Sequence, residues 1–248
     1  MSHVAGGSST RTAIVTGGGG AEARAAVELL ASSGVHILCV SDDGVPDLPQ
    51  SDRTTGAEHI ATHADLSVPT EAAAVVDQAN ERWGGVDLLV CAGALGVRPG
   101  PLAETSVEDY RRAMALSVRG TFLTLKYALP VMMRQEGGRV VVLTSVGALR
   151  GQAGAGVRAA THHALRGMTM NVAHEYAAHG IRTHLLCVGS TPAGAEGSAE
   201  DEGRAVGQPQ DRAPRPEEVS EVVTWLLLES PDHLNGQVVV VDGGRAIG

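Results

Sequence analysis

The side chains best suited to charge chemistry in this sequence are Arg158 and His162, which lie four positions apart and follow the hydroxyl of Ser145. On a helix this spacing places two residues on one face. An arginine can hold a carboxylate, a phosphate or an enolate, and a histidine can titrate near neutral pH, so the pair could carry out proton transfer. The pattern alone favours a plainer interpretation, because a base and a cation often adjoin on a helix without catalysis.

A second candidate site is the glycine-rich turn that begins at Thr16 and continues through Gly17 to Gly20. The turn leaves a predicted strand and enters a predicted helix, as a dinucleotide-binding turn does, because a helix N-terminus attracts phosphate. Thr16, Gly17 and Gly20 are therefore predicted to contact a cofactor. A tight turn that binds nothing explains the same glycines equally well.

Acidic residues follow the second predicted strand, at Asp42 and Asp43. A carboxylate at this point binds the ribose hydroxyls of adenosine and repels the extra phosphate of NADP. We therefore consider NAD the only suitable nicotinamide cofactor, with Asp42 as its candidate ligand. A solvated acidic turn accounts for the same residues.

These residues are positioned by short β-branched runs that alternate with amphipathic stretches, which is typical of βαβ units. The predicted strands are Thr12–Thr16, Val35–Ser41, His59–Ala64, Val86–Cys91, Arg139–Ser145, Arg182–Val188 and Gln237–Val241. The predicted helices are Ala21–Ser33, Thr70–Trp83, Val107–Gln135, Arg158–His179 and Pro216–Glu229. The pattern predicts one α/β domain over residues 11–248, with a doubly wound sheet of seven mainly parallel strands and helices on both faces.

Two segments lack this alternation. Residues 1–10 are rich in Gly and Ser, and we expect them to be disordered. Residues 190–215 contain Gly, Ala, Pro and charged residues with almost no large apolar side chain, which predicts a mobile loop. Such a loop either closes over a ligand or is simply solvated, and the sequence favours neither.

Composition excludes several classes of function. The net charge is −9, and no cluster of Lys and Arg could follow a nucleic-acid backbone. Cys39, Cys91 and Cys187 each lie alone in an apolar run, so neither disulfides nor a metal site is predicted. The apolar runs are too short to span a membrane. We expect a cytoplasmic protein.

From about Arg11 to Gly248 the chain resembles the short-chain dehydrogenase/reductase family. The glycine turn is similar to that family's TGxxxGxG motif, with Ala21 and Ala23 in place of the last two glycines. Ala92-Gly93 resembles the end of its NNAG motif, and Asp65 its adenine-side Asp. The resemblance implies that Gly93 and Asp65 contact a dinucleotide and that Ala21 weakens binding, because its methyl group intrudes on the pyrophosphate.

The resemblance also implies that the family's catalytic groups are largely replaced. Counted from Ser145, the family's Tyr position holds Arg158, its Lys position holds His162, and its Asn position holds Ser117. The Tyr normally protonates the carbonyl oxygen as hydride arrives. An arginine cannot replace it, because its guanidinium stays protonated throughout the physiological pH range. Only Ser145 of the four groups remains.

The segment Asn235–Gly244 stays close to the family's last strand and turn, so fold-bearing positions persist where chemistry-bearing positions change. The resemblance therefore implies a catalytically silent or altered subunit that forms a homodimer or homotetramer, or a hetero-oligomer with an active relative. One alternative is a lyase or isomerase that uses His162 as base, with Ser145 and Arg158 stabilising an oxyanion. Another is an NAD-linked oxidoreductase with an unconventional proton donor.

Overall fold

A computed structural model describes residues 10–51, 55–93, 100–151, 153–189, 209–210 and 212–247. Residues 1–9, nearly all of the predicted disordered segment 1–10, lie outside the described residues. So do most residues of the predicted mobile loop 190–215. Both expectations therefore remain predictions.

The core of the fold is a parallel seven-stranded sheet in the order β3-β2-β1-β4-β5-β6-β7. Its strands are β1 (Thr12–Thr16), β2 (His36–Ser41), β3 (His59–His63), β4 (Leu88–Cys91), β5 (Gly138–Ser145), β6 (Ile181–Val188) and β7 (Val238–Val241). The order reverses between β1 and β4, which opens a crevice at their carboxyl ends. The predicted doubly wound α/β class is confirmed.

Helices cover both faces of this sheet. They are α1 (Ala21–Ser32), α2 (Pro69–Trp83), α3 (Val107–Ala113), α4 (Gly120–Arg134), α5 (Gly156–Glu175) and α6 (Pro216–Leu228). Helices α1 and α6 share one apolar cluster with the sheet, and α2, α4 and α5 share the other. Both clusters consist mainly of Ala, Val and Leu, because the chain has only 2% aromatic residues.

The prediction of a single α-helix over Val107–Gln135 was wrong in the middle of that range. A π-helical segment, Met114–Arg119, separates α3 from α4. Its wider turn holds an extra residue, which the apolar periodicity of a sequence does not register. The start of this helical region is as predicted, since Ser106 accepts a hydrogen bond from the Asp109 amide and donates one to the Asp109 carboxylate.

Strands β2 and β3 are joined by residues 42–58, and the described part of this connection contains no helix. The outer strand β3 is only partly buried along its length. None of the helices in the described ranges is long and apolar enough to cross a membrane.

Candidate functional site

The glycine turn lies between β1 and α1 and is shaped by close backbone contact. Gly17 has a φ of 71°, and a Cβ there would collide with the carbonyl oxygen of Ala92 at the end of β4. The Gly20 amide donates to the Gly17 carbonyl at 2.9 Å. Gly20 is also the N-cap of α1 and offers no side chain to cap it, so the first-turn amides have no capping side chain at this position.

The other predicted cofactor residues lie at or just after the carboxyl ends of β1, β2, β3 and β4. Thr16 is buried, and its hydroxyl accepts from the Ala92 amide at 3.2 Å, which ties β1 to the residue before Gly93. Asp42 is exposed after β2, where its carboxylate faces solvent. Asp65 is half-buried and accepts from the Ser67 amide at 2.8 Å, which fixes the turn after β3.

The predicted residues of the glycine turn fit a dinucleotide on its pyrophosphate side. The support is the left-handed Gly17, whose missing side chain lets the turn approach β4, and the N-terminus of α1 without a side-chain cap. Thr16, Gly17 and Gly20 all lie in this turn, and their contact with a cofactor stays a prediction. The effect of the Ala21 methyl group on affinity stays a prediction.

His162 lies in the second turn of α5 and faces the end of β5. Its Nδ1 lies 2.8 Å from the Thr144 hydroxyl, and its Cδ2 packs against Gly147, where an added Cβ would lie 3.1 Å away. Burial, then the positive charges of Arg158 and His163, lower the pKa of His162 to about 4. The imidazole is therefore neutral at physiological pH.

Arg158 lies one helical turn before His162, in the first turn of α5. Its Nε is buried without a hydrogen-bond partner, and Arg158 belongs to none of the ion pairs formed among the described residues. The helix has no side-chain cap at Ala155 and no acidic residue in its first turn. A cation at this end opposes the helix dipole and adds to its positive potential.

Ser117 and Ser145 complete the set of predicted catalytic residues. Ser117 lies in the π-helical segment, is 1% exposed, and its hydroxyl has no partner among the described residues. Ser145 ends β5, and its oxygen accepts from the Gly147 amide at 3.3 Å. Helix α5 packs against both the π-helical segment and the turn after β5, so the elements that carry these four residues are in contact.

The sequence did not point to Thr144 or Gly147, which hold His162 in place. Thr144 reads as one more β-branched residue of a buried strand, and Gly147 as part of an ordinary turn. Their role depends on which face of α5 meets β5. In the described part of the chain, no group of three or more His, Cys, Asp or Glu side chains could hold a metal ion.

Comparison with protein families gives a match over residues 20–246 to the family model described as Enoyl-(Acyl carrier protein) reductase. Among curated proteins, the chain is 32% identical over 246 residues to 2,5-dichloro-2,5-cyclohexadiene-1,4-diol dehydrogenase of Sphingobium indicum. That alignment covers 95% of this chain and 97% of the relative. Cis-4-hydroxycyclohexanecarboxylate dehydrogenase of Sinomonas cyclohexanicum is 30% identical over 239 residues, covering 94% of this chain and 96% of the relative.

Comparison with solved structures also gives a reductase. The chain resembles the crystal structure of levodione reductase with a TM-score of 0.85 and 27% identity. The alignment covers 96% of this chain and 98% of the levodione reductase chain. These relatives are all named as dehydrogenases or reductases.

Proposed function

This chain belongs to the short-chain dehydrogenase/reductase family, and we propose that it is a member whose proton relay has been replaced. In this proposal it acts as a catalytically silent or altered subunit. The carrying observation is that Arg158 and His162 occupy the positions where the family's Tyr and Lys fall when counted from Ser145. His162 lies beside the end of β5, where its Nδ1 is 2.8 Å from the Thr144 hydroxyl, and Arg158 lies one helical turn before it on α5.

The chemistry of the two side chains supports this proposal. A guanidinium stays protonated across the physiological range and does not give a proton to a carbonyl oxygen. His162 is neutral at physiological pH because burial and nearby cations lower its pKa to about 4. Loss of general acid catalysis typically reduces a rate by about a hundred- to ten-thousand-fold.

We expect the chain to retain weak affinity for NAD. Thr16, Gly17 and Gly20 would contact the pyrophosphate side, Asp42 and Asp65 the adenosine side, and Gly93 the region between them. Bound NAD would supply a hydride acceptor, and bound NADH would supply a hydride donor. NADPH should bind more weakly than NADH, because the Asp42 carboxylate would repel its extra phosphate.

Calorimetric titration with NADH and NADPH tests this part of the proposal. NADH should bind weakly and NADPH less still, while tight NADPH binding would contradict the role of Asp42. Turnover should be assayed with levodione and with cis-4-hydroxycyclohexanecarboxylate, because relatives are named for these compounds. Rapid turnover of either compound would overturn the proposed silence.

The relay can also be rebuilt. The double variant Arg158→Tyr, His162→Lys should gain little reductase activity, because Ser117 and Ala21 also differ from the family pattern. Strong activity from these two changes alone would mean that the rest of the site is sound. The single variant Arg150→Tyr, at an exposed position on the turn before α5, controls for nonspecific effects of an added tyrosine.

We further propose that the chain works as an oligomer, either a homodimer or homotetramer or together with an active relative. The support is a set of apolar side chains that are exposed on the helices and last strand, each at least 39% accessible: Phe122, Met170, Trp225 and Val240. Sedimentation at micromolar concentration should show a species larger than 25.5 kDa. A lone 25.5 kDa species, unchanged when candidate relatives are mixed in, would contradict the assembly.

A lyase or isomerase with His162 as the base is less well supported. A pKa of about 4 makes His162 a weak base, so it would remove a proton only from an acidic carbon. An NAD-linked oxidoreductase with an unconventional proton donor is the better supported alternative, because the relatives are named as dehydrogenases and reductases.

A further inference from the structure

We propose that the start of α5 is a binding site for the carboxylate of a small organic acid, with Arg158 as the residue that recognises it. This deepens the proposed function and rests on it, because a site without a proton donor is free to hold an anion.

The positive potential at this point has no acidic partner in the first turn of α5, and Arg158 forms no ion pair among the described residues. The α5 N-terminus has no side-chain cap and no acidic residue in its first turn. The pKa of His162, one turn further on, is lowered by burial and then by the positive charge of Arg158, and no carboxylate raises it. Helix dipole and guanidinium therefore act in the same direction, toward an anion.

Hydrogen-bonding groups in the same region are also unpaired. The Arg158 Nε is buried without a partner, and so is the hydroxyl of Ser117, which is 1% exposed. Buried polar groups usually find a partner, because an unpaired one loses its hydration without compensation. Two unpaired groups on neighbouring elements, one of them a cation, are the pattern expected of a site that is completed by a ligand.

The surroundings favour a carboxylate over a dianion. One guanidinium supplies a single positive charge, so a dianionic phosphate would keep a buried charge without compensation. The planar fork of a guanidinium matches the two oxygens of a carboxylate. Access is available at the helix start, because Gly156 is exposed. His162 stays neutral there, so it adds a polar contact without a second charge.

The test is calorimetric titration of the purified protein with acetate, propionate and benzoate, each beside its neutral amide, and with inorganic phosphate. We expect at least one acid to bind about tenfold or more tightly than its amide, since a hydrogen bond to a charged group is worth about 1.5–3 kcal/mol. Phosphate should bind more weakly than that acid. If every acid binds no better than its amide, or phosphate binds best, the proposal is wrong.

Variants locate the binding. Arg158→Gln should weaken the preferred acid about tenfold or more, Arg158→Lys should restore part of the loss, and Arg150→Gln, which removes an exposed nearby cation, should change affinity less than about twofold. An equal effect of Arg150→Gln and Arg158→Gln would overturn the assignment.

Thermal unfolding separates binding from a structural role. Without ligand, Arg158→Gln should melt at the same temperature or higher, because it removes a cation whose Nε is buried without a hydrogen-bond partner. A large fall in melting temperature without ligand would mean that Arg158 is structural. These outcomes do not depend on NADH binding or turnover, so failure of this proposal can be distinguished from failure of the proposed function.

Discussion

The glycine turn after β1 and the start of α5 lie at the same edge of the sheet, yet backbone shapes the first and side chains determine the second. The turn is made by backbone, through the left-handed Gly17 and its approach to Ala92. The start of α5 depends on side chains, above all Arg158 and His162. A backbone shape survives most substitutions around it, whereas the chemistry of a side chain changes with one replacement. The fold can therefore stay close to its family while the reaction changes.

Substitution within the turn should give the largest effect. Gly17→Ala places a Cβ against the Ala92 carbonyl oxygen and forces an alanine to a φ of 71°. We expect a loss of about 3 kcal/mol in the free energy of unfolding, from left-handed strain and overpacking together. Urea denaturation of the purified variant measures this loss.

Gly19→Ala is the matched control in the same turn. A Cβ at Gly19 would lie 3.4 Å from the Ser41 hydroxyl, an ordinary contact, and Gly19 does not have a positive φ. Its cost should stay below about 1 kcal/mol. Equal losses from the two variants would show that the contact with β4 does not shape the turn.

At the start of α5, the contribution of His162 to the free energy of unfolding should depend on pH. The folded pKa of His162 is about 4, below its unfolded value of 6.5, so between these values only the unfolded chain takes up the proton. Stability from this group is present above pH 6.5 and is lost as the pH falls toward 4. The loss should reach at most about 3 kcal/mol.

Denaturation midpoints at several pH values test this in wild type and His162→Gln. The slope of stability against pH should become shallower in the variant between pH 4 and 6.5. Some slope should remain, because burial also lowers the pKa of His36 and His184. An unchanged slope would mean that His162 is not held neutral by its surroundings.

The smallest effects should come from the hydroxyls at the end of β5. Thr144→Val removes the 2.8 Å hydrogen bond to His162 and leaves a buried ring nitrogen unpaired, which should cost about 1–2 kcal/mol. Ser145→Ala removes only a 3.3 Å bond from the Gly147 amide and should cost about 0.5 kcal/mol. In thermal melts, Thr144→Val should lower the melting temperature more than Ser145→Ala. The reverse order would mean that Thr144 does not form a stabilising hydrogen bond with His162.

The strands and their parallel arrangement could be predicted from the sequence because β-branched runs report burial on both sides. Predicted and observed bounds of β1 are the same, and those of β6 differ only in that β6 begins at Ile181. The π-helical segment around Ser117 could not be predicted, because an added residue in one turn leaves the apolar pattern almost intact. Such a segment depends on packing between elements.

The candidate site divides in the same way. Residue types and spacing identified Arg158 and His162 as possible charge carriers. The neutrality of His162 depends on burial and on Thr144, which lies 18 positions away in sequence, so no local pattern could reveal it. The unpaired Arg158 Nε likewise depends on which elements surround it.

The connection between β2 and β3, in which the described residues form no helix, affects how the molecule opens. Among the strands that the structure describes, β3 has a neighbour on one side only and is partly exposed throughout, whereas β1 lies between two strands and is fully buried. Amide hydrogens in β3 should therefore exchange with solvent deuterium well before those in β1, through local opening that leaves the centre of the sheet intact. Unfolding of this molecule would then begin at β3, the outer strand on one side of the sheet, away from Arg158.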